Sequence, residues 1–328
     1  MVMAQCLLRA LKDRAPDRAI DVMVPAATAP LATRMAEVRN VIEVPFRRRR
    51  PDIAARWRTA RALRGRYDVA YVLPGSMKSA LVPWLAGIPR RVGYRGEHRY
   101  GLINDLRQVP EGAERRTALL FRRLAGEGAT GEPRLMVDEA NRRRLCGDWR
   151  LEAEGFVALA PGAEYGPSKR WPAERFAALA ARAMNGELAG RRLAVVLVGA
   201  EGDREICAAI RAEVPGVHDL SGATGLADAV DLLSAAALVV TNDSGLMHVA
   251  AALARPLVAV YGSTLPDHTP PLSSRAVALS RRLDCAPCFE RACPLGHTDC
   301  LRTLDVDTVA RAAIEALGAG RPQAPREG

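Results

Sequence analysis

The sequence predicts an α/β protein of two units, each a parallel sheet with helices wound onto both faces. Three observations carry that expectation. A chain of 328 residues is long enough for two buried cores of ordinary domain size. Its 49% apolar share beside 26% charged residues excludes an intrinsically disordered or collagen-like chain. Short β-branched runs alternate with segments of helical period, and apolar strands in such alternation pair in parallel.

Taken in order, residues 1–13 carry apolar positions at helical spacing and give way to the strand-like IDVMVPA, ended by Pro25. A helical LATRMAEV, a strand VIEVP, a basic helix in DIAARWRTARALRGR, a strand DVAYVLPG (68–75) and a helix SMKSALVPWLAG follow. After Gly131 the chain turns Arg-rich and helical, through DEANRRRLCGDWRLEAEG, before a second series opens with FVALAPG (156–162). That second series reads helix PAERFAALAARAMN, strand RLAVVLVGAEG, helices REICAAIRAEV and LADAVDLLSAA, strand ALVVTND, helix LMHVAAALA and strand PLVAVYG. The expected division is 1–150 and 151–320, with 321–328 a frayed tail. Ligands of such sheets bind outside the carboxyl ends of the strands, so the informative loops are PGAEYGPSKRWP, VGAEGD, TNDSG and YGSTLPDHTPP.

Charge narrows the partners. The net charge is +10, from 44 arginines and three lysines, Lys12, Lys78 and Lys169, against 37 acidic residues. An arginine skew of this kind reflects codon usage more than function, which makes each surviving lysine worth inspecting. No uncharged apolar stretch reaches the roughly 18 residues of a membrane span, because Asp243 and Arg255 interrupt the most hydrophobic region. Met1 opens into an amphipathic helix rather than a secretory leader, and a reducing cytoplasm is the expected compartment for the seven cysteines. The basic stretch 47–66 lacks interleaved stacking aromatics, and aromatics make up 5% of the chain, so it reads as a solvated face able to meet anionic headgroups rather than as a nucleic-acid site.

Three loops carry candidate chemistry. TNDSGLMH places Asp243, Ser244 and Gly245 between a strand and a helix start, where free N–H groups and the helix dipole favour phosphate; an ordinary Asp or Ser N-cap explains the same residues. His248 lies one turn on and faces either the ligand or the core. Lys169 and Arg170 precede the Trp171-Pro172 helix start, which suits an ammonium beside a diphosphate, although a surface loop also carries such a pair. Glu201 follows a strand, a position from which carboxylates accept ribose hydroxyls, while Asp203 or a helix cap accounts for the signal equally.

These segments in this order, together with PGSMKSALVPWLAGIPRRVGYRGEHRYGLIND (74–105) and LDCAPCFERACPLGHTDC (283–300), resemble the ADP-heptose:lipopolysaccharide heptosyltransferases, the type II enzymes in particular. The resemblance spans Met1 to about Leu317. It implies a GT-B fold, two Rossmann-like domains across a cleft, the N-terminal one binding acceptor and the C-terminal one ADP-heptose. It implies inverting transfer of L-glycero-D-manno-heptose from ADP onto the first heptose of the inner core. The acceptor would be a lipid A–Kdo–heptose, met at the cytoplasmic face of the inner membrane with no cofactor required. It assigns Lys169 to the diphosphate. Asp243, Ser244, Gly245 and His248 match its D-[ST]-G-x-x-H donor signature, with Asp243 expected beside Lys169 in the catalytic pair, holding sugar hydroxyls or the network next to the phosphate. Glu201 matches its ribose carboxylate, Thr224 its adenine pocket, and Lys78 and Ser79 its acceptor segment.

The resemblance also places a strand and a G-P-S-W-V-G-D-like turn, carrying the favoured general base, just before M-V-M-A-Q. A base of that kind contributes about 10² to 10⁴ in rate. The sequence begins at the Met that follows this turn, so a misplaced start is expected, with neighbouring strand edges left open. Two rivals share the architecture: a nucleotide-sugar 2-epimerase, and an ADP-sugar-binding remnant without turnover.

Cys285, Cys288, Cys293 and Cys300, with His297 nearby, have the spacing C-x₂-C-x₄-C-x₆-C. A compact thiol set suggests a structural zinc, though the spacing is no standard finger and reduced packing cysteines fit as well. Cys6, Cys146 and Cys207 sit in helical patterns and read as buried apolar side chains.

Overall fold

The computed structural model describes residues 1–46, 52–109, 116–128 and 131–318. Residues 47–51 of the basic stretch and the tail at 321–328 lie outside the described residues. The chain divides into two compact units, with the boundary between Gly131 and Glu132.

In the first unit, helix α1 (Gln5–Arg14) buries Cys6, Leu7, Leu8, Ala10 and Leu11 and packs on α5 (Thr117–Arg123). Strands β1 (Asp21–Pro25) and β2 (Asn40–Val44) pair in parallel, Asp21 opposite Asn40. Between them the expected helix at 31–38 shortens to α2 (Ala29–Ala32). The Thr33 hydroxyl donates back to the Pro30 carbonyl, and Arg34 and Met35 donate three residues back, so the chain tightens into turns. Helix α3 (Ile53–Leu63) packs on α4 (Met77–Leu85) through Ala60, Leu63, Val82 and Ala86. A second parallel sheet runs β3 (Val69–Tyr71), β4 (Arg90–Tyr94), β5 (Asp105–Arg107). The first unit therefore holds two short sheets, and among the described residues no strand pairs with the free edges of β1 and β3. Asp21 ties the two together. Its carboxylate accepts from Arg39 Nε and Nη2 at 2.9 Å and from the Tyr67 hydroxyl at 2.6 Å, and the Arg39 guanidinium foremost holds its pKa down to about 2.

Helix α6 (Glu139–Asp148) belongs to the second unit, which moves the boundary from the expected 150 to 131. Buried Asp231 accepts the Asp138 backbone N–H and the Asn141 side-chain amide, both at 2.8 Å. These bonds pin α6 to α9 (Leu226–Ala235). The second unit is one six-stranded parallel sheet in the order β11-β10-β9-β6-β7-β8. Its strands are β6 (Phe156–Ala160), β7 (Ala194–Leu197), β8 (His218–Asp219), β9 (Leu238–Asn242), β10 (Leu257–Tyr261) and β11 (Ala276–Ser280). Every residue of β6, β9 and β10 is buried, as strands covered on both faces require.

Alternate side chains, Val157, Leu159, Val195, Leu197, Val240 and Val260, form one core with α7 (Ala173–Asn185), α8 (Arg204–Glu213), α11 (Asp299–Arg302) and α12 (Val306–Gly318). Helix α10 (Gly245–Ala252) packs on β9, β10 and α9. Helix α7 stops at Gly186, whose φ of 88° is the left-handed turn that lets the chain leave the helix. Trp171 is fully buried, meets the Phe176 ring edge-on at 5.0 Å and donates its indole N–H to Leu304 at 2.9 Å.

Candidate active site

In this strand order β6 is the switch point: β7 and β8 run out on one side and β9, β10 and β11 on the other. The loops after β6 and β9 flank the crevice where open sheets bind ligands. Lys169 comes from the first loop and Asp243 from the second, and they meet: Nζ lies 2.5 Å from Oδ2, with the side chains 13% and 5% exposed. The Thr264 hydroxyl, from the loop after β10, donates to the same carboxylate oxygen at 2.6 Å. The Lys169 ammonium also stands 4.9 Å from the Tyr165 ring centroid.

Asp243 is followed directly by the N-terminus of α10. Ser244 occupies the N-cap position, yet it makes no side-chain cap; its hydroxyl pairs with the Thr241 hydroxyl at 3.1 Å instead. The N-cap explanation of this motif is thereby set aside, because the first-turn N–H groups keep their capacity for an anion. A Cβ placed on exposed Gly245 meets nothing within 4 Å, so ligand can approach the main chain there. His248 lies one turn further, partly buried. Burial foremost, opposed by the nearby Asp243 charge, pushes its imidazole down to about 4. An imidazole lowered that far is neutral at pH 7.

The neighbouring loops are built onto this centre. Buried Asn242 accepts the Trp171 N–H at 3.0 Å and donates to Pro161 at 2.7 Å, fixing both ends of the Lys169 loop. Arg170 reaches Asp203 at 3.7 Å, and Asp203 packs so tightly over Gly162 that a Cβ there would lie 2.2 Å from its carboxyl carbon. Glu201 sits in the same turn, 73% exposed, 3.0 Å from Arg204. It lies over Gly222, where a Cβ would meet its Oε2 at 2.5 Å. Gly222 donates to Gly199 at 3.0 Å, which brings the Thr224 loop alongside Glu201. Lys169, Asp243, Ser244, Gly245, His248, Glu201 and Thr224 thus line the carboxyl edge of one sheet. Sequence reasoning named the YGSTLPDHTPP loop but missed Thr264 itself; it also missed Asp203 as a brace, and a polar residue following a buried strand was the available signal for each.

Lys78 and Ser79, expected on the acceptor side, lie in the first unit. Lys78 opens α4, and its carbonyl accepts from buried Arg56 at 2.8 Å. The Ser79 hydroxyl donates to the Ser76 and Pro74 carbonyls, closing the turn before α4. Buried Arg99 donates to the carbonyls of Pro74 and Tyr94, holding the same turn from the other side.

The structure of Escherichia coli ADP-heptose lipopolysaccharide heptosyltransferase II matches 97% of this chain and 95% of its own with a TM-score of 0.84 at 38% identity. The fold is therefore GT-B, and the chain is a glycosyltransferase. Lipopolysaccharide heptosyltransferase 2 of Salmonella typhimurium is 45% identical over 294 residues, 84% of this chain and 83% of the relative. Lipooligosaccharide heptosyltransferase 2 of Haemophilus influenzae is 39% identical over 297 residues, 85% and 84% respectively. The family model for glycosyltransferase family 9 (heptosyltransferase) matches residues 56–299, and the chain belongs to that family.

Proposed function

We propose that this enzyme moves heptose from ADP-heptose onto the first heptose of the lipopolysaccharide inner core, in a single displacement that inverts the anomeric carbon. The supporting observation is the pairing of Lys169 with an uncapped helix N-terminus at the switch point of the second sheet. As the bond from the anomeric carbon to the diphosphate oxygen breaks, negative charge gathers on the departing ADP. Lys169 and the first-turn N–H groups of α10 stand ready to stabilise it, the charge-neutralising work that a cation does in other sugar transferases. No resident cofactor is part of this reading.

Asp243 and Thr264 orient the ammonium. Glu201 accepts from the ribose, and Thr224 borders the adenine. His248, being neutral, donates or accepts one hydrogen bond at the donor sugar or phosphate. In the first unit, Lys78 and the α4 turn built by Ser79 face the acidic, phosphorylated acceptor. Among the described residues no helix is long and apolar enough to cross a membrane. The lipid-linked acceptor is reached by peripheral contact at the cytoplasmic face of the inner membrane, where basic α3 helps attract anionic headgroups.

The test is mass detection of heptose transfer onto a truncated core lipid from ADP-heptose. A shifted lipid mass is expected with ADP-heptose and not with UDP-linked sugars. Turnover of UDP-sugars without transfer to the lipid would replace this reading with the epimerase one.

A further inference from the structure

The four cysteines of the 283–300 loop are not used by the transfer reaction as described. Cys285, Cys288, Cys293 and Cys300 all line a single small chamber of about 20 Å³, room for one water-sized occupant. None is in a disulfide. The chain is turned sharply around them, with left-handed backbone at Phe289, Gly296 and Thr298. Gly296 donates its N–H to the Cys293 carbonyl at 3.1 Å, closing the turn that brings Cys293 to the chamber. His297 also borders the chamber, but its Nδ1 already accepts the Asp299 backbone N–H at 3.0 Å. The sulfurs are therefore the available donors. Cys6, Cys146 and Cys207 stand apart, one each on α1, α6 and α8.

We propose that Cys285, Cys288, Cys293 and Cys300 together hold one soft divalent cation, zinc by the chemistry of the donor set, as a structural tetrathiolate. Among the described residues no three such side chains already stand close enough to ligate an ion. The thiols ring the chamber, and binding draws them inward to zinc–sulfur distances of about 2.3 Å. Each thiol gives its proton to solvent as its metal–sulfur bond forms, so one ion displaces four protons and the metal–sulfur unit carries two negative charges.

The ion also acts at a distance, because this loop is fastened to the segment that carries Lys169. The Ser168 N–H donates to Arg291 at 3.3 Å, and the Ser168 hydroxyl reaches the Glu290 carbonyl and lies 3.0 Å from that of Ser263. Phe289 donates to Ser263 at 2.8 Å, and the Tyr165 hydroxyl donates to Phe289 at 2.6 Å. Gly166 passes so near Arg291 that a Cβ would lie 2.3 Å from its carbonyl oxygen. Clamping the four sulfurs therefore fixes the strap against which Lys169 and Tyr165 are held. This second consequence rests on the donor-site reading, whereas metal binding does not.

The experiment measures metal content by mass spectrometry on protein purified reduced and without chelator, followed by exchange with cobalt(II). One equivalent of metal per chain is expected, with sulfur-to-cobalt charge-transfer and tetrahedral d–d bands. Cys288→Ser should lose both, and Cys146→Ser should keep both. Chelation should weaken ADP binding, and zinc should restore it. Four freely reactive thiols, no bound metal and no cobalt bands in the wild-type protein would overturn the site. Cobalt bands unaltered by Cys288→Ser would overturn the four-sulfur assignment. Equal ADP affinity with and without metal would overturn the bracing role alone. Metal-dependent ADP binding that is insensitive to Lys169→Ala would instead tell against the donor-site reading.

Discussion

Replacing Lys169 with alanine removes the ammonium that lies 2.5 Å from Asp243 Oδ2, and two effects follow that separate experimentally. The first is on stability. Asp243 is 5% exposed and keeps the Thr264 hydroxyl at 2.6 Å, but it loses its charge partner. Breaking a buried pair destabilises by about 3–5 kcal/mol, and the 13% exposure of Lys169 puts this one near the lower figure. The second is on catalysis: removing one charge-stabilising donor costs about 2.7–4 kcal/mol of transition-state binding, or roughly 10²- to 10³-fold in kcat. The assay is ADP release from ADP-heptose with a truncated core acceptor, run beside calorimetric ADP binding and a denaturant midpoint. Lys169→Arg should recover stability more fully than turnover, because its planar fork does not reproduce a point charge. A folded Lys169→Ala enzyme with unchanged kcat and ADP affinity would refute the reasoning.

Glu201→Ala should weaken ADP binding by about 1 kcal/mol, a modest figure because the carboxylate is 73% exposed. The loss should vanish with an ADP analogue lacking the ribose hydroxyls, and an equal loss with that analogue would remove the ribose role. His248 has a folded pKa of about 4 against an ordinary 6.5, so the unfolded chain takes up the proton first as pH falls. Stability therefore declines from pH 6.5 towards 4, on the order of 3 kcal/mol in all. His248→Gln should flatten that part of the curve, and a variant curve parallel to the wild type would contradict the shift. Trp171→Ala should destabilise by about 3–5 kcal/mol, since it empties a fully buried site and removes one of the two donors to the Leu304 carbonyl; a denaturant midpoint within error of the wild type would contradict this.

The second unit was legible wherever burial is complete. FVALA and LVAVY are unbroken apolar runs, and LVVTN is apolar up to Thr241 and Asn242, because both faces of those strands are covered, and the strands fall where the runs do. Strand β8 has two residues and no period to read. In the first unit, β4 begins Arg90-Arg91 and was read only as part of the resemblance. Helix α12 did carry an amphipathic signal, with Val309, Ala312, Ala313 and Ala316 buried on one side, and reasoning from the loops passed it by. The domain boundary was misplaced because a helical pattern at 139–148 looks the same whichever core it joins; the Asp231 hydrogen bonds decide it. At the site, the residue types and strand ends pointed to phosphate. Whether Ser244 caps its own helix depends on a side-chain rotation that spacing does not encode.

The most direct measurement is a crystal structure with ADP-heptose bound. The account predicts pyrophosphate oxygens within hydrogen-bonding distance of Lys169 Nζ and of the Gly245 and Leu246 main-chain nitrogens. A pyrophosphate seated away from both would contradict it.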